Sequence, residues 1–465
     1  MRWNAVVVLM ALNSFPNWIR GRFWQGVIGL WRHLPLSGSK RQKIRHRLFR
    51  NFPKVFGRAK GYREWLQLNP PVSCRPTGHA TAAAADPEQR IIVVSHDAQA
   101  HGGQFLALGM VRALVQEFRL EVEVILLLGA GRLKGDFEEL APVHQLNAYD
   151  TTVSDMEELA QSLARRGFAR AIVNTTATGR IVPVFKDAGI ESVCLVHELP
   201  GVIRALHLER DAALIAAAAK SVVFPAQVVA DGYAQFAQID PARQVIRPQG
   251  LYRSNRWRSQ TETARAELRK RLGFSSGAKL VLAVGYADHR KGVDLFVECA
   301  LQILAQRSDA EFVWVGHWDA DMQKTVETML CEDERRSHLH FVGYEPDTSI
   351  YHAAADVYAL TSREDPFPNV VLESFDVGVP VVAFASTGGA AGLVGQVGGI
   401  AVRPYDTSVF AAAVSRLLDE PGLAEVMGEA GKEYADRNFS FRDYLCDLCG
   451  LLDIPPRCGH LEGTH

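Results

Sequence analysis

Two carboxylates lie eight positions apart in the segment Asp365-Pro-Phe-Pro-Asn-Val-Val-Leu-Glu373. A Pro-Phe-Pro turn and the start of an apolar helix separate them, and Val379-Pro-Val-Val-Ala383 then predicts a buried strand. A carboxylate accepts hydrogen bonds from two hydroxyl groups, and such charge-assisted bonds are the stronger kind. We therefore expect Asp365 and Glu373 to hold two parts of one polyhydroxyl ligand. The alternative is a solvated helix N-terminus, where the dipole favours acids.

A pair of cations occurs in Gly285-Tyr-Ala-Asp-His-Arg-Lys-Gly292, between a predicted strand and a predicted helix. Arg290 and Lys291 stand where that helix begins. Paired cations in this position neutralise a diphosphate and stabilise it as a leaving group. The alternative is a solvated pair, which the dipole of the helix disfavours.

Two further predicted strands end in residues that suit a ligand. In Ser95-His-Asp-Ala-Gln-Ala-His-Gly-Gly103, the two glycines allow close approach of the backbone, and a helix N-terminus offers free N–H groups to phosphate. His197 and Glu198 follow another strand at its carboxyl end, where ligands bind in open α/β sheets. The alternative for His197 is an imidazole that the loop backbone satisfies.

The elements that must position these residues alternate between strand and helix. Continuous apolar strands separated by helices indicate parallel sheets covered on both faces, so we expect an α/β chain with two doubly wound domains facing a cleft. The segment Arg247-Pro-Gln-Gly250 is the expected hinge. Strands are predicted at 90–95, 122–128, 171–174, 192–196, 221–224, 279–285, 311–315, 339–342, 356–360, 380–384 and 399–402. Helices are predicted at 104–118, 291–306, 320–331, 368–377, 407–418 and roughly 440–452.

These motifs and their order resemble retaining glycosyltransferases with the GT-B fold, above all glycosyltransferase family 4, and in particular bacterial polysaccharide and O-antigen enzymes. The resemblance covers roughly residues 90–452 and is strongest over 357–389. The family usually has Glu where this chain has Asp365. Glu364 precedes it, but Asp365 preserves the spacing to Glu373. Tyr286 replaces a family arginine, a cation that Arg290 is able to supply.

The resemblance implies transfer of a hexose, with retention, from a nucleotide-diphosphate sugar to a glycan or lipid-linked acceptor in polysaccharide biosynthesis. It implies no metal and no cofactor. His197 is expected beside the donor sugar, Glu373 at the ribose, and His96 and Asp97 either on the acceptor side or capping their loop. The predicted catalytic residues are His197, Arg290, Lys291 and Asp365. The predicted substrate-binding residues are Gly102, Gly103, Lys291, Asp365, Pro366, Phe367 and Glu373.

The same resemblance divides the chain. Residues 1–85 form a basic aromatic extension outside the family core, 86–250 a Rossmann-like acceptor domain, and 251–440 a Rossmann-like donor domain. Residues 441–465 provide a helix that returns to the first domain, and a tail. Strand ends at Gly316 and Gly343 resemble the wall of the nucleotide-base site.

Two other classes of function share this fold. A nucleotide-sugar epimerase would turn over its substrate without an acceptor. A non-catalytic glycan-binding protein is the other alternative, against which the presence of Lys291, Asp365 and Glu373 argues.

The charge of the chain is unevenly distributed. The 465 residues have a net charge of −1, yet residues 1–70 contain ten Arg and four Lys against one acid, Glu64. Five of the eight Trp also fall there. Basic charge mixed with aromatic side chains suits an anionic membrane surface, and it suits nucleic acid equally well. We expect peripheral membrane contact and no nucleic acid; a basic face packed on an acidic body is the alternative.

Seven scattered Cys residues fit a reducing cytoplasm rather than a disulfide scaffold, and no apolar run reaches the roughly 18 residues that span a bilayer. We therefore expect a cytoplasmic protein, peripheral on the inner face of the membrane.

The spacing of Cys446, Cys449, Cys458 and His460 is one that a zinc site also uses. The first two lie on one face of a predicted apolar helix, which favours packing over metal binding.

The membrane prediction is tested by co-sedimentation with anionic liposomes. We expect the full chain to bind and a variant lacking residues 1–70 to lose most of that binding, because the removed segment carries the concentrated positive charge. Neutral liposomes serve as the control. Equal binding by both proteins would exclude this segment as the anchor.

Overall fold

The computed structural model describes residues 76–78, 89–148, 151–385 and 387–455, which all belong to one compact unit spanning residues 69–465. Except for 76–78, the extension predicted over residues 1–85 lies outside the described residues. The described strands form two sheets, and helices cover both faces of each sheet.

The first sheet is built from the apolar runs of the first half of the chain. Seven strands of the described part pair in parallel, in the order β3-β2-β1-β4-β5-β6-β7. Residues 91–94 of β1 are 0% exposed, because helices cover both faces of this central strand. The strands are β1 Arg90–Ser95, β2 Glu121–Leu126, β3 Val143–Gln145, β4 Arg170–Asn174, β5 Glu191–Leu195, β6 Ser221–Phe224 and β7 Gln244–Ile246.

Seven helices surround this sheet in the described part of the chain. The third of them starts with a capping box, in which the Thr152 hydroxyl accepts from the Asp155 N–H and the Asp155 carboxylate accepts from the Thr152 N–H. Its buried residues recur at helical spacing and pack on the sheet. The helices are α1 Gly102–Gln116, α2 Lys134–Leu140, α3 Val153–Arg165, α4 Val182–Asp187, α5 Pro200–Ala205, α6 Glu209–Ala218 and α7 Gln227–Tyr233.

The second sheet repeats this architecture. Within the described residues, six strands pair in parallel in the order β10-β9-β8-β11-β12-β13. Strand order reverses between β8 and β11, as it does between β1 and β4 in the first sheet, and ligands of open α/β sheets bind at such points. The strands are β8 Lys279–Val284, β9 Ala310–Val315, β10 Leu339–Gly343, β11 Val357–Leu360, β12 Val381–Phe384 and β13 Gly399–Val402.

The helices of the second half cover the second sheet, except for the last one, which packs on the first domain. Tyr444, Leu445 and Leu448 of that last helix are buried in the core beside β1 and α1. The hinge supports this return, because the Leu251 N–H donates to the Phe439 carbonyl at 2.9 Å. The helices are α8 Thr261–Leu272, α9 Val293–Leu304, α10 Ala320–Met329, α11 Ser349–Ala354, α12 Asn369–Asp376, α13 Gly389–Leu393, α14 Thr407–Asp419, α15 Pro421–Asn438 and α16 Phe441–Leu451.

The predicted α/β architecture of two doubly wound domains is confirmed. All eleven predicted strands agree with the observed ones to within two residues, and β1, β6 and β13 agree at both ends. The strands β3 and β7 were not predicted, because each has only three residues and lacks a continuous apolar run. The domain boundaries near 85, 250 and 440 stay a prediction.

None of the helices in the described part of the chain has the length and apolar character needed to cross a bilayer.

The packing of α16 on the first domain predicts the effect of a cavity. Replacing Leu448, which is 0% exposed, with alanine is expected to cost about 2–5 kcal/mol of unfolding free energy, because the lost contacts leave a void. Urea denaturation followed by far-ultraviolet circular dichroism measures this. The matched control is Leu206→Ala, at a side chain 61% exposed, with an expected change within about 0.5 kcal/mol. Equal losses in the two variants would contradict the described packing of α16.

Candidate functional site

The carboxyl ends of the two sheets face a cleft, and contacts between the two halves close it at its rim. The Glu364 carboxylate, in the loop after β11, lies so near Gly201 of α5 that a side chain at position 201 would displace it. The Arg132 guanidinium, in the loop after β2, lies 5.2 Å from the ring centre of Tyr344, which follows β10. The loops at the ends of the parallel strands therefore share one space.

The predicted phosphate loop lies at the start of α1. Gly102 and Gly103 are the first residues of this helix, and His101 before them makes no capping hydrogen bond through its side chain. The first turn contains no acid, so its N–H groups and the positive end of the helix dipole remain suited to an anion. A side chain at Gly102 would meet no atom within 4 Å, so this glycine faces open space.

His96 and Asp97 are engaged by their own loop. The Asp97 carboxylate accepts from the Gln99 N–H at 2.9 Å and also from the Gln104 side-chain amide. The His96 ring nitrogens lie 2.7 Å from the Gln104 amide nitrogen and 3.1 Å from the Thr175 hydroxyl. This geometry favours the loop-capping interpretation over direct ligand contact.

His197 lies at the end of β5 between a neutral partner and an acid. Its Nε2 is 3.2 Å from the Asn174 amide oxygen, and its backbone N–H donates to the Glu198 carboxylate at 3.2 Å. Burial lowers the pKa of His197, and the negative charge of Glu198 only partly opposes that shift. The imidazole is therefore neutral near pH 7.

The cationic loop of the second domain takes its shape from two glycines with positive φ. Gly285, at φ +155°, lies against the side chain of Lys291, and Gly292, at φ +72°, lies against the Thr361 carbonyl. A side chain at position 292 would collide with that carbonyl, and its left-handed backbone favours glycine in any case. The Lys291 N–H donates to the Asp288 carboxylate at 2.7 Å, which ends the loop just before α9.

Lys291 and Asp365 form a direct ion pair between the loops after β8 and β11. The Lys291 ammonium donates to the Asp365 carboxylate, with only 16% and 6% of the two side chains exposed. The Ser362 hydroxyl donates to the same carboxylate at 3.2 Å. Sequence reasoning expected both residues at the ligand, but it did not predict that they contact each other.

Arg290 is tied to the same loop. Its guanidinium donates to the Glu364 carbonyl at 2.9 Å, and its own carbonyl accepts from the Arg363 N–H at 2.7 Å. Arg363 in turn holds Asp294 of α9 through two bonds of 2.8 and 2.7 Å. Burial opposes ionisation of Asp294, but the guanidinium holds the pKa of that carboxyl below its usual value. The ion pair between Arg363 and Asp294 was not predicted from the sequence.

The turn that begins at Asp365 packs closely against Gly388 and its two neighbours. The Asp365 N–H donates to the Thr387 carbonyl at 2.8 Å, and the Gly389 N–H donates to the Pro366 carbonyl at 2.8 Å. The Asp365 carbonyl lies so close to Gly388 that any side chain there would collide with it. This close approach orients the Asp365 side chain toward Lys291.

Phe367 and Glu373 belong to the same turn and to α12. The Phe367 ring is buried against Phe439, and the Phe367 carbonyl accepts from the Gln249 amide at 2.8 Å. The Glu373 carboxylate lies 3.2 Å from Nε2 of the buried His352. Burial and the charge of Glu373 raise the pKa of Tyr252, which therefore stays a neutral hydroxyl beside this acid.

The two predicted acids and the predicted lysine lie in one region. Tyr358 of β11 is buried beneath it, and its pKa is raised by burial and then by the charges of Asp365 and Glu373. Lys291 contacts the first of these acids directly. The structure thus brings Lys291, Asp365 and Glu373 together, while their chemical roles stay predictions.

A stack of planar groups occupies the position predicted for the nucleotide base. His317, after Gly316, and Tyr344, after Gly343, stack at 5.0 Å with an interplanar angle of 7°. Arg132 approaches the Tyr344 ring from the first domain. Stacked planar groups are suited to contact with a flat conjugated ring.

The zinc alternative receives no added support. Cys446 and Cys449 lie on α16, and Cys449 is buried in the core. Cys458 and His460 lie outside the described residues. In the portion of the chain that the structure covers, no three His, Cys, Asp or Glu side chains are grouped so that they could hold a metal ion.

Two parallel, doubly wound sheets that face a cleft, with the last helix packed on the first domain, define the GT-B class of fold. Residues 264–434 match the family model described as Glycosyl transferases group 1. Within these residues, the chain is therefore similar to the group 1 glycosyltransferases.

Curated relatives agree with this family. Alpha-D-kanosaminyltransferase of Streptomyces kanamyceticus is 32% identical over 193 residues, which cover 41% of this chain and 49% of that protein. Lipopolysaccharide glucosyltransferase WaaG of Escherichia coli K12 is 28% identical over 202 residues, which cover 43% of this chain and 53% of that protein. The chain thus spans about half the length of the curated relatives it matches.

A solved structure agrees with the fold. The Anabaena protein Alr3699/HepE, in complex with UDP and glucose, has a TM-score of 0.67 to this chain at 17% identity. The similarity covers 78% of this chain and 99% of that one. The prediction of the GT-B fold is therefore confirmed. The match of residues 264–434 agrees with the predicted glycosyltransferase family, while the retaining mechanism stays a prediction.

The lowered pKa of His197 predicts a pH dependence of stability. Because the folded-state pKa lies below the ordinary 6.5, the unfolded chain takes up this proton first as the pH falls. The stability that neutral His197 provides is complete above pH 6.5 and is lost progressively below it. We expect His197→Gln to reduce the fall in melting temperature between about pH 7 and pH 5. The exposed His289→Gln control should leave that fall unchanged; a fall of wild-type size in His197→Gln would contradict the prediction.

Proposed function

We propose that this protein transfers a hexose, with retention of anomeric configuration, from a nucleotide-diphosphate sugar to a glycan or lipid-linked acceptor. The single observation that carries the proposal is the Lys291–Asp365 ion pair at the strand ends that face the cleft. It supplies a cation for a diphosphate and an acid for sugar hydroxyls at adjacent positions. The match of residues 264–434 to the model of the group 1 glycosyl transferases supports the same class of reaction.

The diphosphate is held from both domains in this proposal. Lys291 and Arg290 provide positive charge from the second domain, and the uncapped first turn of α1, at Gly102 and Gly103, provides N–H groups from the first. As the glycosidic bond breaks, negative charge grows on the phosphate. Donors fixed at that phosphate stabilise the transition state more than the bound substrate, which accelerates the reaction.

The sugar and the ribose are held by the acids and by His197. Asp365 accepts hydrogen bonds from donor-sugar hydroxyls, the backbone at Pro366 and Phe367 borders the sugar and phosphate, and Glu373 binds the ribose. Neutral His197 hydrogen-bonds a further sugar hydroxyl. Contacts of this kind across a closing cleft exclude water and limit hydrolysis of the donor.

Retention requires that the acceptor attacks on the face that the leaving group departs from. The departing phosphate then takes the proton of the acceptor hydroxyl on that face. Protein cations and the α1 dipole supply the charge neutralisation at the phosphate in this proposal, so no metal or cofactor is assigned a role.

The comparisons support the substrate classes without naming them for this chain. UDP and glucose are bound in the Anabaena protein, and the Escherichia coli relative is named for lipopolysaccharide. A nucleoside-diphosphate hexose and a glycan or lipid-linked acceptor fit both observations. A lipid-linked acceptor also suits a cytoplasmic protein that is peripheral on a membrane, which is the localisation we propose.

A panel of nucleotide sugars tests the proposal. A cognate donor binds the folded protein and is therefore expected to raise its melting temperature. At a donor concentration 100 times Kd, the free energy of unfolding should increase by about 2.7 kcal/mol. Transfer to a glycan acceptor should then fall about 10²–10³-fold in Lys291→Ala, because one fixed charge at the leaving group is lost. Glu373→Ala should also lose donor-dependent transfer. Thermal shift measures donor binding, and product analysis measures transfer.

Matched controls separate the site from the surface. Lys324→Ala and Glu425→Ala remove exposed charges of the second domain and should transfer at the wild-type rate. Transfer at the wild-type rate by both Lys291→Ala and Glu373→Ala would contradict the assignment of these two residues to the site. Turnover of the donor without any acceptor would indicate the epimerase instead.

A further inference from the structure

Three consecutive residues at the carboxyl end of β4 and just after it each bond to a polar residue of a neighbouring strand end. The segment lies beside β1 and β5, at the reversal of strand order in the first sheet. No catalytic or binding motif of the sequence includes it. The bonds join Asn174 to His197 (3.2 Å), Thr175 to His96 (3.1 Å) and Thr176 to Glu198 (2.7 Å).

Asn174 has an orientation that its two partners determine. Its side chain is completely buried, and its Nδ2 donates to the Gly103 carbonyl at 2.8 Å. A carbonyl only accepts, so the amide nitrogen must face Gly103 and the amide oxygen must face His197. That oxygen also only accepts, so Nε2 of His197 must carry the hydrogen.

We propose that Asn174 is a positioning residue: it holds His197 in the Nε2-protonated tautomer, so that Nδ1 presents a lone pair to a hydroxyl group of the bound sugar. The proposal deepens the proposed function and rests on it. It specifies that His197 accepts a hydrogen bond at Nδ1, so a ligand group that can donate, such as a hydroxyl, is required there.

The neighbouring acid does not compete for Nδ1. The Glu198 carboxylate accepts from the Thr176 N–H, the Thr176 hydroxyl and the His197 N–H. Among the described residues, none makes a hydrogen bond to Nδ1 of His197, and the residue is partly exposed. Nδ1 therefore remains available to a ligand in the cleft.

Backbone strain at the next residue points to the same constraint. Thr175 has φ +74°, in the left-handed range that a β-branched residue rarely adopts. Strain of this kind persists where the surrounding contacts determine the conformation, and it is concentrated at functional sites. Here those contacts are the bonds that orient His197, His96 and Glu198.

Asn174 also joins two parts of the proposed donor site. Through Gly103 it holds the first turn of α1, which is proposed to face the diphosphate, and through Nε2 it holds the imidazole proposed to face the sugar. One amide therefore sets the distance between a phosphate-binding and a hydroxyl-binding group.

Nuclear magnetic resonance of the full chain labelled with ¹⁵N-histidine tests the tautomer directly, with His197→Gln assigning the signal. We expect wild-type His197 to be protonated at Nε2, with slow exchange of that hydrogen. Asn174→Leu, of similar size, should lose the slow exchange, whereas Asn174→Asp should keep it because a carboxylate oxygen still accepts. Protonation at Nδ1 in the wild type, or unchanged exchange in Asn174→Leu, would overturn the proposal. If Asn174→Leu fails to fold, the wild-type spectrum alone decides.

Transfer kinetics provide the second readout. Asn174→Leu should lower kcat/KM for the donor about tenfold, the value of one well-aligned hydrogen bond, and Asn174→Asp should recover part of it. Asn438→Leu, which removes one exposed side-chain bond of α15, should leave kcat/KM unchanged. An unchanged kcat/KM in Asn174→Leu would refute the positioning role. Absence of any transfer by the wild type would refute the proposed function instead, while the spectra still decide the tautomer.

Discussion

The ion pair between Lys291 and Asp365 is the interaction on which the rest of the second domain's cleft depends. Both side chains are largely buried, and removing two charges from water costs free energy unless they remain close and hydrogen-bonded. Neighbouring parallel strands, β8 and β11, deliver the two loops to one edge of the sheet. Glycines at 285, 292 and 388 then allow the backbones to approach closely enough for the charges to meet.

The two halves of the cleft contribute different kinds of group. The groups of the first domain proposed to contact the donor are neutral: the uncapped start of α1 and an imidazole whose burial keeps it uncharged, which the buried amide of Asn174 orients. The second domain presents formal charges, in Arg290, Lys291 and the acids. This division suits a ligand with a charged diphosphate at one end and hydroxyl groups at the other, because dipoles and lone pairs distinguish hydroxyls while cations neutralise phosphate.

Local sequence was enough to predict most of the fold. Long apolar runs such as 90–95 and 279–285 became buried central strands, since a parallel strand covered on both faces is apolar throughout. The edge strands β3 and β7 escaped prediction because three residues carry too little pattern. The residues of the candidate site were also identified locally, since glycines, cations and acids at strand ends are visible as spacing along the chain.

The sequence by itself determined the residue types at the strand ends, the parallel α/β class and the resemblance to a glycosyltransferase family. Only the tertiary structure decided which strand ends are neighbours. It paired Lys291 with Asp365 rather than with Glu364, and it placed Asn174, which no motif contains, between His197 and Gly103. The reason is that strand order in a parallel sheet is set by long-range packing, so contacts between residues more than seventy positions apart leave no local pattern.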